Sequence, residues 1–391
     1  MIEVSKRWAS SVGAGARWSV MVSWSSDGGQ TWHDVVPTAC SVDESTGQQV
    51  RWKLSCTLRK ADAEGLTVFG CRARVFVSMH HTDSWEETIQ LGEFRIDTTS
   101  DTTLAGPSGA QVAAVQVSGS SWEQQLMDSR LVEPREVSGA AIDVLGGLIR
   151  EVLPDAEIVF DGGIDPGRNI PATVVERDRW AFIDGSNSSE TSVARMLGAQ
   201  VSTDARGVWH VAPPPVLDGT AAWTIEAGKG GALLSAVASE DRSTIRNAVI
   251  ARGESTDKSV PVLGPVTVAD HNAWSPTNVD TPVSRGGFGT VPIFYTSSLF
   301  TDTTQVEAAA KAMLQPRLGV KRTLDLTTLF DPAKRAGDVG VVQTTDGPVT
   351  VVLESVSCDL VAASMTCQTR GTTGTELITT ETTTTTGEKI S

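Results

Sequence analysis

The chain has 391 residues, of which 40% are apolar and only 20% charged, and its formal net charge is −15. Such a length and composition suit two to four domains with true cores and exclude a wholly disordered protein. The acidic balance, without any cluster of Lys and Arg, argues against a surface that grips nucleic acid by its phosphates. The opening MIEVSKRWASSVGAG has no apolar core of signal-peptide length, and no stretch approaches the roughly 20 apolar residues of a membrane helix. The expectation is a protein made in the cytoplasm, with no membrane insertion. Five cysteines (Cys40, Cys56, Cys71, Cys358, Cys367) form no CxxC pair and leave one over in any pairing scheme. That pattern points to reduced core thiols, not to a disulfide scaffold or a zinc ribbon.

Residues 18–24 read WSVMVSW, and after SSDGGQT the chain resumes at Trp32 with further β-formers, which predicts a hairpin. Short alternating segments follow at 50–59, 66–78 and 88–97, so the first 118 residues read as one β-barrel or sandwich. The period then changes. SSWEQQLMDSRL offers a Ser cap with Trp122, Leu126 and Met127 on one helical face, and GAAIDVLGGLIREVL aligns Ile142, Leu145, Ile149 and Val152. After the short β segment AEIVFDG, NSSETSVARMLGAQ predicts a helix capped by Ser188 or Ser189, with Val193, Met196 and Leu197 inward. VSTDARGVWHV then reads as strand, turn, strand. Residues 119–235 are thus expected to be mixed α/β.

From RNAVIARG onward β segments return, interrupted by a Pro/Gly-rich loop at 257–292 and by the helix TDTTQVEAAAKAMLQ. Thr303 or Thr304 is its expected cap, Glu307 and Lys311 its i,i+4 pair, and Pro316 its limit. KRTLDLTTLF, GDVGVVQ, PVTVVLESVSCDL and ASMTCQTRG carry strands to about residue 371. The last 20 residues are Thr-rich and too poor in large apolar groups to pack alone.

No catalytic signature is present: no HExxH, GxSxG or P-loop, and no GxGxxG between a strand and a helix. The adjacent His80 and His81 would point to opposite faces of a strand and could not jointly chelate a metal. Ser25, Asp27, Gly29, Thr31 and Trp32 match S-x-D-x-G-x-T-W, the Asp-box of β-propellers. The motif occurs once and propellers repeat, so it reads as a lone structural hairpin. Eleven Trp, seven of them in the first 122 residues, could line a sugar-binding row, but their strand positions favour core and subunit contact. No catalytic, cofactor-binding or metal-ligating residue is singled out.

The order of segments resembles the hub proteins of phage tails and related injection machines. The strongest stretch runs through TPVSRGGFG, TTQVEAAAKAMLQPRLG and RTLDLTTLFDPAKRAGDVGVV. There a strand, a Pro-containing loop and a Gly-Asp step enter the next strand, much as in the second barrel of the baseplate-hub or tail-tip-hub (tail-associated) family. In layout the resemblance covers residues 10–371. It implies a mainly β fold with an α/β insertion: an N-terminal β-barrel over 1–118, the insertion over 119–235, a second tube-like barrel over 236–371 and a Thr-rich tail over 372–391. It further implies a non-enzymatic structural component of the virion tail: a homotrimeric hub ring assembled in the host cytoplasm. Its partners would be the distal tail protein, tail tube, tape-measure and tip or fibre proteins. DNA would pass through the lumen without specific binding. The competing readings are a carbohydrate-binding tail or surface protein and, behind it, a glycosidase, for which no carboxylate pair stands out.

Overall fold

The computed structural model describes the chain except residues 1, 13–15, 82–83, 106–110, 166, 185–191, 216–220, 229–230, 241–244, 255–262, 274, 301, 315–316, 318–320, 345–346, 373–380 and 384–391. Helix α1 (Lys6–Ser11), too short to leave a periodic signature, was not expected. Ser5 Oγ accepts the Trp8 N–H at 3.2 Å, and the indole of Trp8, fully buried, donates to Asp331 Oδ1 at 3.1 Å. Tertiary contact across more than 300 residues therefore holds a helix that propensity alone would not.

The expected hairpin is present as β1 (Arg17–Ser25) and β2 (His33–Val35), with Trp24 opposite His33. The Asp27 carboxylate accepts the N–H groups of Gln30 and Thr31, both at 2.9 Å, and these bonds hold its carboxyl well below the usual range. Gly29 sits at φ +93°, and a Cβ there would come within 3.2 Å of the Trp32 ring, so the turn requires glycine twice over. The lobe continues through β3 (Ala39–Ser45), β4 (Trp52–Arg59), β5 (Arg72–His80), β6 (Glu86–Ala105) and β7 (Gln111–Ser120). In β4, Trp52, Leu54, Cys56 and Leu58 are buried while the residues between them face outward. That is the period-2 pattern of a one-sided sheet, in which each buried Leu or Val contributes roughly 1.5–3 kcal/mol.

The next segment is α/β, as expected: α2 (Glu123–Asp128), β8 (Arg135–Ala140), α3 (Ala141–Arg150), β9 (Ile158–Phe160), β10 (Asn169–Val175), α4 (Arg179–Ile183), α5 (Val193–Leu197), β11 (Gln200–Thr203) and β12 (Trp209–Ala212). Leu126, Leu145, Ile149, Val193, Met196 and Leu197 all enter its core. The caps differ from expectation. Trp122 occupies the α2 cap position without a side-chain bond, because Ser121 Oγ instead accepts the Trp52 N–H of β4. Ser188 and Ser189 lie outside the described residues, and α5 is capped by Ser192, whose Oγ accepts the Arg195 N–H at 3.2 Å. The antiparallel pair β8–β10 and helix α4 carried no legible sequence signal.

The chain then gives β13 (Trp223–Ile225), β14 (Leu233–Glu240), β15 (Ala248–Gly253), β16 (Val266–Ala269), β17 (Pro292–Ser297), α6 (Thr303–Leu314), β18 (Lys321–Leu329), β19 (Val339–Thr344), β20 (Gly347–Asp359), β21 (Ser364–Thr372) and β22 (Glu381–Thr383). Strand β16 lies inside the segment read as a loop. Asp302, not Thr303 or Thr304, caps α6: its carboxylate accepts the Gln305 N–H at 2.9 Å, and a charged acceptor suits a helix N-terminus better than a hydroxyl does. The Glu307–Lys311 pair forms at 2.7 Å, whereas Pro316 is outside the described residues. Residues of β15, β16, β17 and α6 pack around a core of their own, formed by Val249, Val268, Tyr295, Val306, Ala310 and Leu314. Of the Thr-rich tail beyond Thr372 only β22 is described, paired antiparallel to β16.

The fold is mainly β. A single sheet runs β14-β18-β21-β20-β3-β4-β7-β6-β5-β1-β2, with β19 on β20 and β13 parallel to β19. Gly340 makes that last pairing possible, since a Cβ would fall about 2.2 Å from the Trp223 ring opposite it. Among the described residues no pairing joins β14 to β2, so the sheet is open and closes into no barrel. The N-terminal and C-terminal lobes meet at the antiparallel pair β3–β20, and one hydrophobic core serves both lobes.

Candidate assembly surface

The seam between the lobes is reinforced beneath the sheet by the loop DPAKRAGD (331–338). Arg335, 8% exposed, lies 3.9 Å above the centre of the Trp52 ring and donates to Leu91 O at 2.5 Å. Its Nε stands 3.5 Å from Glu44 of β3. Glu44, 3% exposed, also accepts the Arg51 Nε–H at 2.8 Å and the Ala336 N–H at 2.9 Å. Arg51 then reaches the α/β unit through Ser202 Oγ at 3.2 Å, next to the bond from Trp52 Nε1 to Thr203 O at 2.9 Å. The buried guanidinium of Arg335 and the half-buried one of Arg51 thus both face the Glu44 carboxylate with geometry that offsets desolvation, and three parts of the chain meet at one ionic knot. Nearby, fully buried Glu123 accepts from Thr203 N and Oγ1 at 2.6 and 2.9 Å, while its Oε2 has no partner. Burial pushes the Glu123 carboxyl up.

The two ends of the sheet are unequal. β2 is three residues long. At the other end, β14 presents LLSAVAS with no charge before Glu240, and Leu234 and Val237 are 63% and 61% exposed. Folded monomers protect such edges with Lys, Pro, bulges or short strands. Among the described residues the one such device at this end is a register shift between Leu233 and Ser235 in the β14–β18 pairing.

The face of the sheet turned away from the core has a composition of its own. It carries Thr323, Asp325 and Thr327 on β18, Ser364, Thr366 and Gln368 on β21, and Ser355, Ser357 and Asp359 on β20. Across the seam it continues with Ser41, Asp43 and Ser45 on β3, and with Lys53, Ser55, Thr57 and Arg59 on β4. It ends with Gln116 and Ser118 on β7 and Thr98, Ser100 and Thr102 on β6. Fourteen of these 21 positions bear hydroxyls, while Leu329 opposite Ser364, Ala114 between Arg59 and Thr102, and Arg95 opposite Ser120 lie on the same face. The hydroxyls pair laterally, Thr98 with Ser118 at 2.6 Å and Ser357 with Asp43 at 2.5 Å across the seam.

The other candidate sites are used locally. His80 contacts Ser19 Oγ at 2.7 Å and Glu86 at 3.6 Å, while the His81 N–H donates to Trp85 O. Among the described residues no group of three or more His, Cys, Asp or Glu is placed to hold a metal. All five cysteines are buried and free, and burial pushes the thiols of Cys56 and Cys367 up to about 12. Of the eleven Trp, Trp274 is outside the described residues, and the other ten are buried or half-buried, leaving no exposed row for a sugar to stack on. A shallow cavity of about 520 Å³ includes Asp165 and Asp302. Asp165 bonds the Gly167 N–H, and Asp302 caps α6.

The described residues form a continuous, mainly antiparallel sheet that carries an α/β insertion and ends in an apolar edge at β14. No protein-family model and no curated protein matches the sequence. Solved structures do share its fold. A tail protein of Neisseria meningitidis MC58 superposes with a TM-score of 0.61 at 12% identity, covering 90% of this chain and 96% of that one. The 43 kDa tail protein of prophage MuSo2 from Shewanella oneidensis gives 0.57 at 11% identity, over 91% and 98%. Prophage tail protein gp18 of Listeria monocytogenes EGD-e gives 0.54 at 10%, over 90% and 94%. The chain therefore has the fold of phage tail proteins across nearly its whole length.

Proposed function

We propose that this chain is a structural, non-catalytic component of a phage tail tip, a hub whose three copies form a ring between the tail tube and the tip and surround the DNA-ejection channel. In this reading the two lobes, residues 1–118 and the sheet strands of 236–371, act as tube-like domains. Three copies then present six similar lobes, matching a six-fold tube above to a three-fold tip below. Distal tail, tail-tube, tape-measure and tip or fibre proteins are the partners, and the virion tail is the location. The observation that carries the proposal is the end-to-end likeness to tail proteins, which spans both lobes and the α/β unit together. The apolar edge of β14 supplies a physical reason to associate, because a partner there would satisfy its backbone groups and cover Leu234 and Val237.

The test is the mass of the purified full chain by light scattering, alone and mixed with a tail-tube protein, for wild type and Val237→Lys. A ring-sized species that Val237→Lys dissolves is the expected result, with an unfolding midpoint shifted by no more than about 0.5 kcal/mol because the site is exposed. A wild-type chain that stays monomeric at every concentration, with and without the tube protein, overturns the proposal.

A further inference from the structure

We propose that the outer edge of β16 is a strand-acceptor site, and that the Thr-rich C-terminal segment of a second copy takes there the place that the chain's own β22 holds. Exchange needs only two copies, so the inference stands apart from the hub reading.

The acceptor is built before any strand arrives. One side of β16 pairs with β15, from Ala248 opposite Ala269 to Ala251 opposite Val266, and Val266 and Val268 are buried in the core shared with α6. Just past the strand, fully buried Asp270 accepts from Ser275 Oγ at 2.5 Å, Thr277 Oγ1 at 2.6 Å and the Asn272 N–H at 3.1 Å. Asn247 Nδ2 ties the same loop down by donating to Thr277 O at 2.8 Å. None of these contacts involves β22, so a docking strand meets an edge that is already ordered. The edge itself reads VTVA, without charge or proline, and such an edge leaves backbone groups ready to pair. The opposite edge of this small sheet, β17, opens with Pro292, which has no N–H to offer.

The occupant is suited to exchange. β22 contributes three residue pairs, Thr383 opposite Thr267, Thr382 opposite Val268 and Glu381 opposite Ala269. In sequence it runs into five consecutive threonines at 382–386, and no large apolar residue lies within 379–387. Threonine favours extended backbone, but a run of one residue type cannot fix a register, because a slip by one or two positions sets threonine against the same neighbours. A ladder so short and so weakly registered opens without disturbing the core beneath it. β21 ends at Thr372 and β22 begins at Glu381. A tether of that length gives an effective concentration on the order of mM, which the tail of an adjacent copy in an assembly also reaches.

Because all five native cysteines are buried, new surface thiols can be paired selectively. Full-length Thr267→Cys and Thr383→Cys chains, whose substituted positions face each other across the β16–β22 ladder, would be mixed and mildly oxidised, and the cross-links mapped by mass spectrometry. Thr267→Cys mixed with Asp325→Cys, an exposed position on β18, gives the background of random collision, and the double variant Thr267→Cys/Thr383→Cys reports pairing within one chain. The expected result is an interchain 267–383 disulfide at least about ten-fold above that background, falling to it when a peptide of residues 375–387 is added in excess. Cross-linking confined to the double variant, or an interchain yield that the peptide leaves unchanged, overturns the exchange. No cross-link in any sample overturns the acceptor site itself, and each of these outcomes leaves the hub reading intact.

Discussion

Removing the Glu44 carboxylate tests whether the seam depends on its buried ionic knot. In Glu44→Ala the Ala336 N–H and the Arg51 Nε–H lose their acceptor, and Arg335, 8% exposed, loses the anion 3.5 Å away. Each hydrogen bond to a charged group contributes roughly 1.5–3 kcal/mol, and removing one member of a buried ion pair costs about 3–5 kcal/mol. Arg51 is half-buried and can turn to water, so the expected loss is about 3–4 kcal/mol, a large share of a domain's stability. Urea unfolding followed by tryptophan emission would measure it, since Trp52 stacks on Arg335 and Trp8 bonds Asp331 of the same loop. The double variant Glu44→Leu/Arg335→Met should recover at least about 1 kcal/mol relative to Glu44→Ala, because it leaves no unpaired charge at Arg335. A Glu44→Ala loss below about 1 kcal/mol would refute the reasoning and mean that the β3–β20 ladder alone holds the lobes together.

Three further outcomes can be checked. Burial raises the Asp184 carboxyl from 3.8 to about 6, so the folded state favours the protonated form, and stability falls as pH rises from about 4 through 6. Asp184→Asn keeps an acceptor for the Val201 N–H and should stabilise the protein by about 2 kcal/mol at pH 7 but not at pH 4, as measured by unfolding at the two pH values. Gly340→Ala should displace β13, because its Cβ would collide with the Trp223 ring. A loss of about 1–3 kcal/mol with a changed near-ultraviolet tryptophan signal is expected, and an unaltered spectrum would contradict the packing. The buried thiols of Cys40, Cys56, Cys358 and Cys367, all raised by desolvation, should ignore maleimide in the native protein and react fully in denaturant. Rapid native labelling of any of them would contradict that burial.

The order and type of most elements were legible in the sequence because their causes are local. Alternation in VRWKLSCTLR, helical spacing in AIDVLGGLI and the S-x-D-x-G-x-T-W turn need no knowledge of the rest of the chain. Elements whose stability comes from distant partners left no such trace: α1 is held by Asp331, and β8 and β10 by each other. Caps failed for a related reason, since Ser121 had a better donor in β4 and Asp302 a better charge than its threonine neighbours. The composite surfaces were the least visible. Ser357 and Asp43 stand 314 positions apart and become neighbours only through the β3–β20 register, a quantity no local period encodes. The chain's own pattern says which side of each strand is wet. Only the pairing of strands from both ends of the sequence gathers those sides into one face and leaves β14 as an open edge, because pairing is settled by the burial of a common core.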